Sequence, residues 1–129
     1  KLCQLSPIPI ALDEELIGIN LSKAELLDTI KPDYLILKPS LLGGFKECDN
    51  WISLAKENGI KWWATSALEG NVGLNAIAQW VYTKNSKLRQ GLGTGMLFKN
   101  NVNSPLEISA DSIYLNENKE WDLNFFYKN

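Results

Sequence analysis

The sequence predicts an α/β fold built on a parallel sheet, from three observations. Two apolar runs, Ile8-Pro-Ile-Ala-Leu12 and Tyr34-Leu-Ile-Leu37, each end on a single charge, Asp13 and Lys38. Short apolar runs closed by turn residues suit strands buried on both faces. Asp13 and Lys38 are 25 residues apart, Lys38 and Thr65 are 27, and Thr65 and Gly91 are 26. One strand, one helix and two loops consume about that much chain. Amphipathic stretches fill the intervals, so four strand ends are expected to converge on one mouth, where α/β folds bind ligands.

The first strand is expected over 8–12, with Pro7 and Pro9 fitting only an edge or a strand start. Lys1 to Leu5 reads as the tail of a helix whose beginning is absent. Ser22-Lys-Ala-Glu25 has the spacing of a capping box, and the helix it opens should end before Pro32. The second strand is expected over 34–37. After the turn at Gly43-Gly44, apolar Phe45, Cys48, Ile52 and Ala55 recur at helical spacing up to the Asn58-Gly59 stop. A third strand is expected over 60–64, a loop over 70–73, and a helix through Leu74, Ile77, Trp80 and Val81 that ends near Asn85. Beyond Gly91 the partial alternation of 106–115 and 121–126, separated by Asn116-Glu-Asn-Lys119, predicts a terminal β-hairpin.

Side chains alternate along a strand, so Asp13 shares a face with Ala11, Lys38 with Ile36 and Thr65 with Trp63. Leu12, Leu35 and Leu37 face the other way, toward the helices. Polar tips in a mouth and apolar residues against a helical coat are the division expected of a barrel.

Composition narrows the function. In 129 residues, 45% are hydrophobic and 22% charged, ordinary for one globular domain with a core. A net charge of −2 with interspersed signs offers no attraction for nucleic acid or an anionic membrane. No apolar stretch approaches a membrane span, and no signal-peptide pattern opens the chain. Cys3 and Cys48 lack metal-finger spacing and read as buried thiols in a reduced, cytoplasmic setting. There is no histidine, which removes Ser-His-Asp catalysis and His-based metal sites from this chain. The sequon Asn20-Leu-Ser22 is read as chance.

Asp13 is either a helix-capping acid or one ligand of a hard cation, whose other carboxylates must lie elsewhere. Glu14, one residue on, would face the opposite way on a strand and is expected to be structural or to support a ligating residue from behind. Lys38 is either a snorkelling surface lysine or salt-bridge partner, or an acid/base or electrostatic group whose pKa an adjacent cation would lower. Thr65 and Ser66 either cap the next helix or hydrogen-bond a substrate carboxylate. Gly91-Leu-Gly-Thr-Gly95 lacks the nucleotide-binding glycine spacing, and its glycines suit close backbone approach to a ligand.

Ala11-Leu-Asp-Glu-Glu-Leu16, Leu37-Lys-Pro-Ser-Leu-Leu-Gly-Gly44, Ala64-Thr-Ser-Ala-Leu-Glu-Gly-Asn-Val-Gly-Leu74 and Gln90-Gly-Leu-Gly-Thr-Gly-Met-Leu-Phe98 together resemble the o-succinylbenzoate synthase family of the enolase superfamily. The resemblance covers roughly residues 1–98. It implies strands five to eight of a modified (β/α)8 TIM-type barrel over 1–98, with 99–129 a C-terminal capping-domain segment carrying the hairpin. The implied activity is a Mg²⁺-dependent lyase that dehydrates a succinyl-hydroxycyclohexadiene carboxylate during menaquinone synthesis. Asp13 falls on the family's third metal-ligand carboxylate, and Lys38 on the lysine that faces the ring opposite the general base. Thr65 and Gly91 fall on positions that hold the succinyl carboxylate, with Ser66 adjacent. The family's proton-abstracting lysine and first two metal ligands would lie upstream of Lys1, so this piece alone is expected to be inactive. The alternatives are a racemase, dipeptide epimerase or cycloisomerase of the same superfamily, or a non-catalytic half-barrel module. The expected partner is a small carboxylate substrate, with neither nucleic acid nor membrane. The unpaired strand edges of a half-barrel leave association between copies open.

Overall fold

The computed structural model of the chain describes residues 2–122, Asn124 and Tyr127. Their elements run α1 (Leu2–Leu5), β1 (Ala11–Leu12), α2 (Lys23–Ile30), β2 (Tyr34–Leu37), α3 (Phe45–Glu57), β3 (Lys61–Ala64), α4 (Asn71–Thr83), β4 (Leu106–Ser109) and β5 (Ser112–Leu115). They form two compact units, Lys1–Ala67 with Ser86–Gln90, and Leu68–Asn85 with Gly91–Asn129.

In the first unit β1, β2 and β3 form a parallel sheet in chain order. The register pairs Leu12 with Leu35, Ile36 with Trp63 and Leu37 with Ala64. Leu12, Leu35, Leu37 and Ala64 are buried, while Tyr34, Ile36 and Trp63 on the alternate positions are only half-buried. Helix α3 packs on β3 and on α2, placing Cys48, Trp51 and Ala55 beside Leu26 and Leu27 in one core. The face expected to meet the helices is therefore the dry one. Lys23 pairs with Glu47 and lies 5.5 Å over the Trp51 ring, tying α2 to α3.

Local chemistry sets the boundaries of these elements. The Ser22 hydroxyl accepts from the Glu25 N–H at 3.3 Å, and the Glu25 carboxylate accepts from the Ser22 N–H at 3.0 Å, closing the capping box. Lys31, before Pro32, ends α2 in the left-handed region at φ 55°. Gly43 and Gly44 take φ of 91° and 96°, which β-carbon-bearing residues rarely adopt, so the chain can turn from β2 into α3.

Several expectations change. Only Ala11 and Leu12 of 8–12 form a strand. Pro7 and Pro9 have no N–H to give a ladder, and the Ile10 N–H is taken by the Asp33 carboxylate at 2.8 Å. The fourth station produces no strand before Gly91 among the described residues, because Ser86-Lys-Leu-Arg-Gln90 is polar and not an apolar run. Helix α4 begins at Asn71, inside the expected 70–73 loop. Cys48 is buried, but Cys3 is half-buried, so the thiols differ in environment.

In the second unit the two-residue turn Ala110-Asp111 folds β4 back on β5, pairing Leu106 with Leu115 and Ser109 with Ser112. The hairpin thus closes within 106–115, because Ser109-Ala-Asp-Ser112 interrupts the alternation with turn residues. Of the second expected strand, Trp121 and Asp122 are not in a strand, and Leu123, Phe125 and Phe126 lie outside the described residues. The Asn71 side chain exchanges hydrogen bonds with the Val102 backbone, and the Asn101 carboxamide accepts from the Asn71 N–H at 3.0 Å. No helix of the described residues is long and apolar enough to cross a membrane.

Candidate active site

Asp13 follows the last residue of β1, where its backbone (φ −122°, ψ −97°) leaves the strand and caps a 3₁₀ turn over Glu14–Leu16. Lys38 follows the last residue of β2, its carbonyl accepting from the Leu41 and Leu42 N–H groups at 2.9 and 3.0 Å. The parallel register sets the two residues on one face of the sheet at its carboxyl end. Lys38 Nζ lies 2.8 Å from Asp13 Oδ1 and 3.2 Å from Glu14 Oε1. The expected meeting of Asp13 and Lys38 is thus present in the fold.

Glu14 departs from the expectation that it would turn away. Strand alternation ends at Asp13, and the 3₁₀ turn swings the next carboxylate back to the same ammonium. Glu15 completes the turn, its Oε2 accepting from the Asp13 N–H at 2.9 Å. That backbone hydrogen bond is the main reason its carboxyl sits below the ordinary range, helped by its own N–H and, more weakly, by Lys38. The Lys38 ammonium is held above its usual pKa, first by its contact with Asp13 and then by Glu14, against the opposing effect of burial. The chain's own residues therefore move it opposite to the direction expected beside a cation.

Asp13 Oδ1 is buried, and the cation it faces in this structure is the Lys38 ammonium 2.8 Å away. A carboxylate oxygen at a strand end has the chemistry of a hard-cation ligand. One such oxygen is not a site. Among the described residues no three of His, Cys, Asp and Glu are grouped to hold a metal ion.

Thr65 continues β3, its N–H donating to the Leu37 carbonyl at 2.9 Å, one residue before Lys38. Its hydroxyl reaches the Ser66 carbonyl at 3.5 Å, and Ser66 is buried. Thr65 and Ser66 belong to the same unit as Asp13 and Lys38, and Gly91, half-buried, to the other. Pattern reading gave Glu14 the wrong orientation and assigned no role to Gln90. Gln90 accepts from the Ala64 N–H at 2.8 Å. For Glu14 the available signal was the acidic run itself, since a run of three acids favours a helical first turn over continued strand.

Comparison with known proteins puts these motifs in context. No family model matches the sequence. The chain is 56% identical over 110 residues to o-succinylbenzoate synthase of Desulfotalea psychrophila (strain LSv54 / DSM 12343), a match covering 84% of this chain and 30% of that protein. By sequence the chain is similar to part of o-succinylbenzoate synthase. The crystal structure of MenC from Desulfotalea psychrophila LSv54 superposes with a TM-score of 0.82 at 53% identity, covering 87% of this chain and 32% of the other. The substrate-liganded L-Ala-D/L-Glu epimerase from Bacillus subtilis gives 0.74 at 22% identity, covering 87% of this chain and 31% of the other, a likeness of fold alone. The architecture is α/β, a partial (β/α)8-type barrel with a hairpin. The chain spans about a third of the length of the synthase relatives that it matches.

Proposed function

We propose that residues 1–129 are the C-terminal part of a Mg²⁺-dependent o-succinylbenzoate synthase, a cytoplasmic lyase of menaquinone biosynthesis. It would dehydrate 2-succinyl-6-hydroxy-2,4-cyclohexadiene-1-carboxylate. The observation that carries the reading is the approach of Lys38 Nζ to Asp13 Oδ1 at adjacent strand ends, within a sequence 56% identical to that synthase.

In the reaction a proton leaves the carbon bearing the carboxylate, the ring hydroxyl departs as water, and the ring becomes aromatic. Negative charge grows on the carboxylate as the C–H bond breaks. Lys38 contributes a fixed positive charge toward it, an interaction stronger in the transition state than in the ground state. Asp13 would be one of several carboxylate ligands of the Mg²⁺, the others coming from elsewhere in the polypeptide. When bound, that ion supplies further positive charge for the carboxylate. Glu14 holds the ammonium from its second side. Thr65, Ser66 and the Gly91 backbone are assigned to the succinyl carboxylate, with the proton-abstracting lysine also outside this stretch.

The test is turnover by the full-length polypeptide carrying residues 1–129. Loss of the cyclohexadiene absorbance with Mg²⁺, abolished by chelation, is the expected result. Solvent deuterium entering both enantiomers of an N-acyl amino acid, with no dehydration, would replace this reading with a racemase. Residues 1–129 alone should not turn over, and rapid turnover by them would contradict the assignment of the base and remaining ligands to other parts of the protein.

A further inference from the structure

Alternate N–H groups of a strand point to opposite edges. The Thr65 N–H points toward β2 and donates to Leu37, so the Ala64 N–H points to the edge of β3 away from β2. Ala64 is fully buried, and a buried N–H there needs an acceptor. The acceptor is the side-chain carbonyl of Gln90, at 2.8 Å, from the Ser86–Gln90 stretch of the same unit. The other end of that carboxamide is also engaged, donating to the Leu88 carbonyl at 2.8 Å and to the Ser86 hydroxyl at 3.2 Å. The Leu88 carbonyl, which can only accept, and the Ala64 N–H, which can only donate, leave the amide one way round, with its oxygen toward Ala64. A side chain thus stands where a further strand would supply a carbonyl, directly before Thr65 and Ser66.

We infer that Gln90 is a positioning residue that sets the Thr65–Ser66 end of β3 for the substrate's succinyl carboxylate. The inference rests on the role proposed above for those two hydroxyls. Without the brace, the buried Ala64 N–H loses its acceptor and the strand end can shift, and small displacements of binding groups weaken substrate capture.

The experiment compares Gln90→Ala and Gln90→Glu in the full-length polypeptide. Glutamate keeps an acceptor for Ala64 and loses both donors, and alanine loses all three bonds. Gln90→Ala should raise KM for the cyclohexadiene substrate about tenfold with kcat within about twofold, and should speed hydrogen exchange at the Ala64 amide. Gln90→Glu should keep Ala64 protected and lie closer to wild type in KM. An unchanged KM in Gln90→Ala, or a fall in kcat alone from a smaller folded fraction, would overturn the inference while leaving the proposed function standing. If Gln90→Ala does not fold, a Gln90→Glu protein that protects Ala64 yet has the KM of a strand end set loose overturns it equally. Wild-type protein that does not dehydrate the substrate removes the proposed function, and this inference with it.

Discussion

Lys38 and Asp13, at the ends of neighbouring parallel strands, bring ammonium nitrogen and carboxylate oxygen to 2.8 Å. The Lys38 side chain is 15% exposed and that of Asp13 36%, so the contact is partly shielded from water. A double-mutant cycle on unfolding with Lys38→Met and Asp13→Asn should return a coupling of about 1 kcal/mol, the scale of a partly exposed pair. In the full-length polypeptide Lys38→Met should lower kcat by about 10²-fold or more, as loss of a preorganised charge does. Lys38→Met with unchanged kcat would remove the lysine from the chemistry.

The hairpin carries its own pH dependence. Lys119 beside Glu107, with hydrogen bonds from Tyr114 and Asn116, holds the Glu107 carboxyl down to about 2, below its ordinary 4.5. The unfolded chain takes up this proton first as pH falls. The stabilisation is therefore complete above about 4.5 and is lost as pH drops from there toward 2. Hydrogen exchange at the β4–β5 amides should rise across that window in wild type and stay flat in Glu107→Gln, and added salt should shrink the difference.

Ala110 turns the hairpin with φ at 52°, a region where a β-carbon costs roughly 1–2 kcal/mol. Ala110→Gly removes that cost at the tip, offset in part by the greater freedom of glycine in the unfolded chain. The β4–β5 amides should exchange more slowly in the variant, and faster exchange would mean that the turn is not strained.

The two thiols should react unequally. Burial, with smaller contributions from Asp49 and Glu47, pushes the Cys48 thiol up to about 12, and its side chain is fully buried. Cys3 is half-buried on α1. A thiol reagent at pH 8 should modify Cys3 alone in folded protein and both residues in denaturant, as read by mass spectrometry.

Elements defined by local chemistry were legible in the sequence. Ser22 and Glu25 announced the start of α2, Gly43-Gly44 the turn after β2, and Asn58-Gly59 the end of α3. The apolar runs at 34–37 and 60–64 placed two strands, observed at Tyr34–Leu37 and Lys61–Ala64, and the parity of side chains along them placed the dry face between sheet and helices. What escaped depended on tertiary partners. Glu14 joins Lys38 only because the backbone bends at Asp13, which no periodicity encodes. Gln90 reads as an ordinary surface amide until β3 offers it an N–H. The hairpin was foreseen but its boundaries were not, since Ala110 is not a residue that announces a left-handed turn.

The order of the sheet, β1-β2-β3, has a wider consequence. A single strand–helix–strand step delivers both members of the charged pair, so their spacing is written within one short stretch of polypeptide. Insertions or divergence further along the chain can therefore leave the geometry of the pair untouched.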